Sequence, residues 1–389
     1  MNMDSLLDLR TFLAPEIVYG QGALSLSGRH ASNFGASKVF IVTDPGVRKA
    51  GWTLSVEKSL KGSKIPYAVF DGVTANPKDH EVMEGAKICR DEGCDLIIAV
   101  GGGSPMDCAK GIGVVMGNPG NILEFEGVDM IPNPGPPLIF IPTTSGSSAD
   151  VSQFAIITDT RRKVKIAIIS KMVIPDIALV DPGTTATMSP ELTAATGMDA
   201  LCHAFEAFVS TAASPLTDMA ARAAVRIVSE NLLKAYQEPD NMIFRDKMMT
   251  ASLMAGLAFS NASLGLVHAM AHSLGGALGL PHGECNALLL EKVVRFNYPA
   301  SSEKYDQLAE AMHLNMEEYG FPEKGVVISN RITSLRKQLE IDQKLIDLGV
   351  RSSDIPRLAE FAFMDPCLAT NPKEAGLEDI EKLYHQIYE

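Results

Sequence analysis

From position 248 to 283 the chain carries no Asp, Glu, Lys or Arg. Such a segment must be buried, inside a fold or inside a bilayer. A spanning helix needs about 20 predominantly apolar residues. This stretch instead mixes in Ser, Thr, Asn, several Gly and three histidines, His268, His272 and His282. A helix buried within a soluble domain is therefore the expected outcome, with no membrane partner. The opening MNMDSLLDLRTFLAPEIVYG has early acids and no long apolar run, so it does not read as a signal peptide.

Composition supports burial without staples. Hydrophobic residues make up 46% of 389 and charged residues 21%, which excludes a disordered chain and a collagen-like repeat. The net charge of −13 repels phosphate backbones, so nucleic acid is not an expected partner. Cys89, Cys94, Cys108, Cys202, Cys285 and Cys367 form no CxxC pair. That argues against a disulfide framework and a thiolate zinc site, and for a reducing, cytoplasmic location.

The first half alternates short apolar runs with helical stretches. KVFIVTD (38–44), PYAVFDGV (66–73), DLIIAVGGGS (95–104) and PLIFIPTT (137–144) read as strands. Segments 45–62 and 77–94 between them read as helices. This order predicts βαβ units and a parallel, Rossmann-like sheet covered on both faces. Past about residue 185 helical stretches follow one another: 191–209, 215–236, 241–260, 285–298 and 376–388, with no strand after 182. Ser189 as N-cap with Pro190 at N1 marks the change. The expected organisation is an α/β dinucleotide-binding domain, 1–186, and an all-α metal-binding domain, 187–389, with the active site in the cleft between them.

Two loops at strand ends suit a nucleotide. AVGGGSPMDCAK (99–110) closes a strand and opens a helix, where backbone N–H groups and the helix dipole favour an anion. It is neither GxGxxG nor a Walker loop, since Lys110 comes too late. IPTTSGSSAD (141–150) is rich in hydroxyls and free amides. Ligands gather at the carboxyl ends of parallel strands, so two such loops point to a dinucleotide. Asp44 closes the first strand, placed to accept from a ribose 2′-hydroxyl and to repel a 2′-phosphate, or simply to cap the helix opened by Pro45.

The histidines form a constellation. Asp199 and His203 stand four apart on one helix face, as do His268 and His272, and His282 comes later in a turn. Burying several imidazoles with a carboxylate is costly unless a cation pairs them. The donor set suits iron(II) and zinc alike.

Together these segments resemble the iron-dependent (group III) alcohol dehydrogenases over nearly the whole chain. The likeness runs from VYGQGA (18–23) through GGGSPMDCAK, IPTTSGSS, ATGMDALCHAFEAFVS (195–210), GLVHAMAHSLGG (265–276) and PHGECNALLL (281–290) to DPCLATNP (365–372). The resemblance implies the fold shared with dehydroquinate synthases. It also implies metal ligands Asp199, His203, His268 and His282, which sets the chain apart from the metal-free maleylacetate reductases. Iron(II) is the favoured metal, with zinc as the alternative. His272 is implied as the catalytic histidine assisting proton transfer. Gly101, Gly102, Gly103 and Ser104 would cradle the NAD pyrophosphate. Asp44, Asn76, Thr143, Thr144, Ser147, Ser152 and Lys165 would add cofactor contacts. Phe154, Phe259 and Cys367 match substrate-pocket positions. The second loop departs from the family's TTAGTGSE in having Ser148 and Asp150.

The implied activity is hydride transfer between a metal-bound alcohol and NAD(H), run as alcohol dehydrogenase or aldehyde reductase, in a homo-oligomer. The rivals are a metal- and NAD-dependent lyase of the dehydroquinate-synthase type, a 1,3-propanediol- or hydroxy-acid-specific dehydrogenase of the same family, and a non-catalytic metal-binding protein with a closed four-ligand site. A serine hydrolase is set aside because GxSxG is missing.

Overall fold

The computed structural model describes residues 11–321 and 323–388. The first half of the N-terminal stretch read against a signal peptide, residues 1–10, lies outside them. Among the described residues nine strands fall before residue 181: β1 (Glu16–Tyr19), β2 (Val39–Val42), β3 (Tyr67–Phe70), β4 (Leu96–Gly101), β5 (Gly127–Val128), β6 (Leu138–Pro142), β7 (Phe154–Asp159), β8 (Val164–Ile169) and β9 (Ile177–Val180). Six form one sheet in the order β1-β9-β6-β4-β2-β3, every pair parallel. Phe40 and Val42 turn to one face while Val39 and Ile41 turn to the other, and each set joins a separate buried cluster. Burial on both faces is why these strands read as unbroken apolar runs.

The sequence expectation covered β2, β3, β4 and β6; β1, β9 and the remaining three strands were not in it. β7 and β8 pair antiparallel and β5 joins β8, forming a small second sheet. The helix expected over 45–62 is two, Pro45–Ala50 and Trp52–Gly62. They part at Gly51, whose φ of 90° lies in the left-handed region that glycine tolerates.

After β9 the chain passes through a 3₁₀ turn, Pro182–Thr187, into the helix Pro190–Val209. Ser189 Oγ accepts from the Leu192 N–H at its start. Buried Arg245 clamps this passage, donating to the Met188 carbonyl, Thr193 Oγ1 and the Pro239 carbonyl. Among the described residues no strand comes later, and the helices pack round one apolar core.

The charge-free segment differs from the single helix expected. It supplies most of Met242–Ala262, all of Leu266–Leu278 and the start of His282–Asn297. The first two meet at a 100° bend. No single described helix is long and apolar enough to cross a membrane, and this pair reaches that length only together.

Candidate active site

The chain order of the sheet reverses at β2, with β3 on one side and β4 on the other. Crevices form beyond the carboxyl ends of strands at such a point. A cleft of about 970 Å³ opens here, between the ends of β2, β4 and β6 and the helical part.

One end of the cleft is built from backbone and hydroxyls. Gly102, at the N-cap of the helix Gly103–Gly117, takes no side-chain cap, so the first-turn N–H groups face the cleft. Space here is tight. A Cβ on Gly102 would lie 3.1 Å from Thr144 Oγ1, and one on Gly103 would lie 3.1 Å from Ser147 Cβ. Gly101 does not line the cleft. Its φ is 156°, and a Cβ there would lie 2.6 Å from Pro105 Cγ, so the turn requires glycine. Ser104, Thr143, Thr144 and Ser147 do line it, as does Asn76, whose N–H donates to Ser104 Oγ. Asp44 combines both readings: it lines the cleft, and its Oδ1 caps Pro45–Ala50 through the Val47 N–H at 2.9 Å.

The small sheet forms a side wall. β7 contributes Phe154 and β8 contributes Lys165, whose ammonium burial pushes its pKa down. Ser152 also lines the cleft and accepts from the buried Lys110 ammonium. The two departures in the second loop sit behind it. Ser148 holds a φ of 51° and donates to the Ser252 carbonyl at 2.6 Å, while Asp150 is buried away from the cleft.

The other end is a nest of nitrogen and oxygen acceptors. Asp199 Oδ1 lies 3.9 Å from His203 Nε2, 4.0 Å from His268 Nε2 and 3.7 Å from His282 Nε2. His203 Nδ1 donates to the Gly146 carbonyl at 3.2 Å and His268 Nδ1 to Glu206 at 2.6 Å. Both rings therefore turn an Nε2 lone pair inward. The Asn286 amide nitrogen reaches Asp199 Oδ1 at 2.7 Å, His268 Nε2 at 3.1 Å and His282 Nε2 at 3.2 Å. An amide has two hydrogens for these three acceptors, and His203 Nε2 makes a fourth. Burial also drives the His203 pKa down to about 4 and that of His282 well below its ordinary value. His203 and His268, whose ring protons are held on Nδ1, cannot supply the missing protons. A divalent cation fits this donor set, with separations suited to bonds of about 2.0–2.2 Å.

His272 stands beside the nest, its ring 5.3 Å from that of His282. Its Nδ1 donates to Asp365 Oδ2 at 2.8 Å. Burial pushes the Asp365 carboxyl up, but the His272 ring and hydrogen bonds from Cys367 outweigh it and leave it below its usual value. Phe259 stacks on His203 and tilts against Phe154, giving the nest an apolar rim. Cys367 lies beside His272 and Asp365, behind the cleft wall. Its side chain is 1% exposed, belongs to the helical core and does not line the cleft. Leu264 lines the cleft instead. Sequence reading also missed Glu206, Asn286 and Asp365. Only the spacings Glu206 to His203 and Asn286 to His282, one helical turn each, hinted at the first two.

A titration is expected from His203. Its folded value lies below the ordinary 6.5, so between about 6.5 and 4 the unfolded chain binds the extra proton. The chelator-treated protein is thus expected to lose stability as pH falls through that window. The check is its Tm across the range; a Tm independent of pH there would remove His203 as a buried neutral ring.

Two family models match the chain: "Iron-containing alcohol dehydrogenase" over residues 14–182 and "Fe-containing alcohol dehydrogenase family, C-terminal" over residues 193–388. The 1,3-propanediol dehydrogenase of Citrobacter freundii is 40% identical over 97% of this chain and 98% of its own length. Alcohol dehydrogenase 4 of Schizosaccharomyces pombe is 41% identical over 94% of this chain and 86% of its own. The solved structure of a 1,3-propanediol oxidoreductase superposes with a TM-score of 0.95 at 40% identity, covering 98% of this chain and 100% of that one.

Proposed function

This chain belongs to the Fe-containing alcohol dehydrogenase family, and from that premise we propose that it interconverts a small primary alcohol and its aldehyde using NAD and iron(II). It is an oxidoreductase of the alcohol dehydrogenase class. Its relatives are dehydrogenases over almost their whole length, which removes the lyase reading. The observation that carries the proposal is one cleft holding both the glycine cradle and the acceptor nest around Asp199.

Asp199, His203, His268 and His282 would hold the cation, and Gly102, Gly103 and Ser104 the dinucleotide's diphosphate. When bound, cation and nicotinamide supply the Lewis acid and the hydride acceptor. The chain's own residues do the rest. Phe154, Phe259 and Leu264 exclude water from the reacting carbon. Asp365 holds the proton of His272 on Nδ1, so Nε2 is the ring atom free to take the hydroxyl proton. Lys165, which lines the same cleft, would donate to the ribose hydroxyls; burial lowers its pKa, and the nearby carboxylates of Asp107, Asp199 and Asp365 offset this in part.

Compartment and assembly have their own support. Six free, buried thiols suit a reducing compartment such as the cytoplasm. Among the described residues β1 is the outer strand of its sheet, with Tyr19 part-exposed, and such a strand edge supports self-association.

The test is formation of reduced cofactor by chelator-stripped protein given iron(II) or zinc, NAD or NADP, and short alcohols and diols, 1,3-propanediol first. Metal-restored NAD reduction is expected; no turnover with any alcohol or aldehyde would overturn the proposal. Asp44→Gly should then shrink the preference for NAD over NADP by about tenfold, roughly 1.4 kcal/mol. An unchanged ratio would leave Asp44 as a helix cap only.

A further inference from the structure

We propose that Glu206 is a positioning residue for the cation site: its buried carboxylate fixes the His268 ring in the form that presents Nε2, unprotonated, to Asp199. The inference rests on the proposed ligand set and goes beyond it, because Glu206 touches neither cleft nor cation.

Glu206 comes seven residues after Asp199 and three after His203, so all three share one face of the helix Pro190–Val209. Its side chain crosses to the start of the helix Leu266–Leu278, whose N-cap, Gly265, has no side chain to offer. Four donors converge on it. The Val267 N–H reaches Oε1 at 2.6 Å. Oε2 takes the Gly265 N–H at 3.0 Å, the His268 N–H at 3.4 Å and His268 Nδ1 at 2.6 Å. Only 4% of Glu206 is exposed, so water cannot replace these bonds. An anion is also favoured at a helix N-terminus. One carboxylate therefore caps the helix and sets the ring borne by its third residue.

Acceptor counting makes the role specific. An ionised carboxylate accepts at both oxygens. A glutamine of the same size has one oxygen and one NH₂. With its oxygen on Val267 N–H, its NH₂ faces His268 Nδ1 and favours the ring with the proton moved to Nε2, blocking the ligand atom. With its oxygen on His268 Nδ1, its NH₂ opposes the Val267 N–H. Neither arrangement reproduces the native one.

The experiment uses the full-length chain with ¹⁵N-labelled histidine after chelator dialysis. Long-range ¹⁵N–¹H spectra report which ring nitrogen of His268 carries the proton, with His268→Asn for assignment. Cobalt(II) alone is then titrated, and binding is tracked in its visible absorption. In the parent chain, His268 should be protonated on Nδ1. In Glu206→Gln the proton should move to Nε2, and the cobalt dissociation constant should rise about tenfold to a hundredfold. An Nε2-protonated His268 in the parent chain overturns the proposal. So does a folded Glu206→Gln variant with an unchanged ring or a dissociation constant within twofold of the parent. If that variant does not fold, the parent spectrum alone decides. Failure of the parent to bind cobalt would instead sink the ligand set, which the ring spectrum tests separately.

Discussion

His268→Ala should leave a chain that retains little metal and has lost at least about a thousandfold in alcohol turnover. Loss of an outer partner of a metal ligand costs about 10–100-fold, and loss of the ligand itself should cost more. The effect has two sources here. The nest loses an Nε2 that faces Asp199 at 4.0 Å, and Glu206 loses the ring donor it holds at 2.6 Å. The orphaned bond should cost about 1–3 kcal/mol of stability as well. Metal content by elemental analysis, turnover and Tm, measured together, separate the two. Full metal with turnover within tenfold of the parent would remove His268 from the site.

Gly102→Val should act at the opposite end of the cleft and leave the metal in place. Gly102 has a φ of −86°, so valine meets no backbone penalty. The obstacle is space: the first added carbon lies 3.1 Å from Thr144 Oγ1 and 3.2 Å from Thr144 Cγ2. The branches must push the two loops apart or fill the gap that a diphosphate needs. We expect the dissociation constant for NADH to rise about a hundredfold, roughly 2.7 kcal/mol. Trp52 provides the readout, being the chain's single tryptophan and a wall of the same cleft. Its emission should respond to NADH in the parent chain and, at equal concentration, far less in the variant. A dissociation constant within threefold of the parent would dissociate this loop from the cofactor.

The parallel sheet was legible because its strands are buried on both faces and alternate with helices. The loops after β2, β4 and β6 were legible for the same reason, since parallel strands bring their carboxyl ends to one side. The hairpin of β7 and β8 was not. Its register depends on pairing Phe154 with Ile169 across the turn, which no local period announces. The histidines of the site stood out through charge-free surroundings and four-residue spacing. Their partners did not, because Glu206 and Asp365 act across the fold, 62 and 93 residues from the rings they hold. Cys367 stands beside His272 but behind the cleft wall: a sequence match gives a position, while the Asp365-capped turn decides which way its side chain points.

The bend between Met242–Ala262 and Leu266–Leu278 has a consequence for how this chain can vary. Only Ser263, Leu264 and Gly265 join the two helices. Each residue added to a helix rotates the chain beyond it by about 100° and advances that chain by about 1.5 Å. One insertion or deletion in the first turn of Leu266–Leu278, ahead of both rings, would swing His268 away from Asp199 and His272 away from Asp365 in a single step. Substitutions there change local strain, but a change of length rewires both imidazoles at once. Among descendants of this sequence that keep both rings working, the spacing from Gly265 to His268 should not change, and Gly265, where a Cβ would lie 3.0 Å from Glu206 Oε1, should stay glycine.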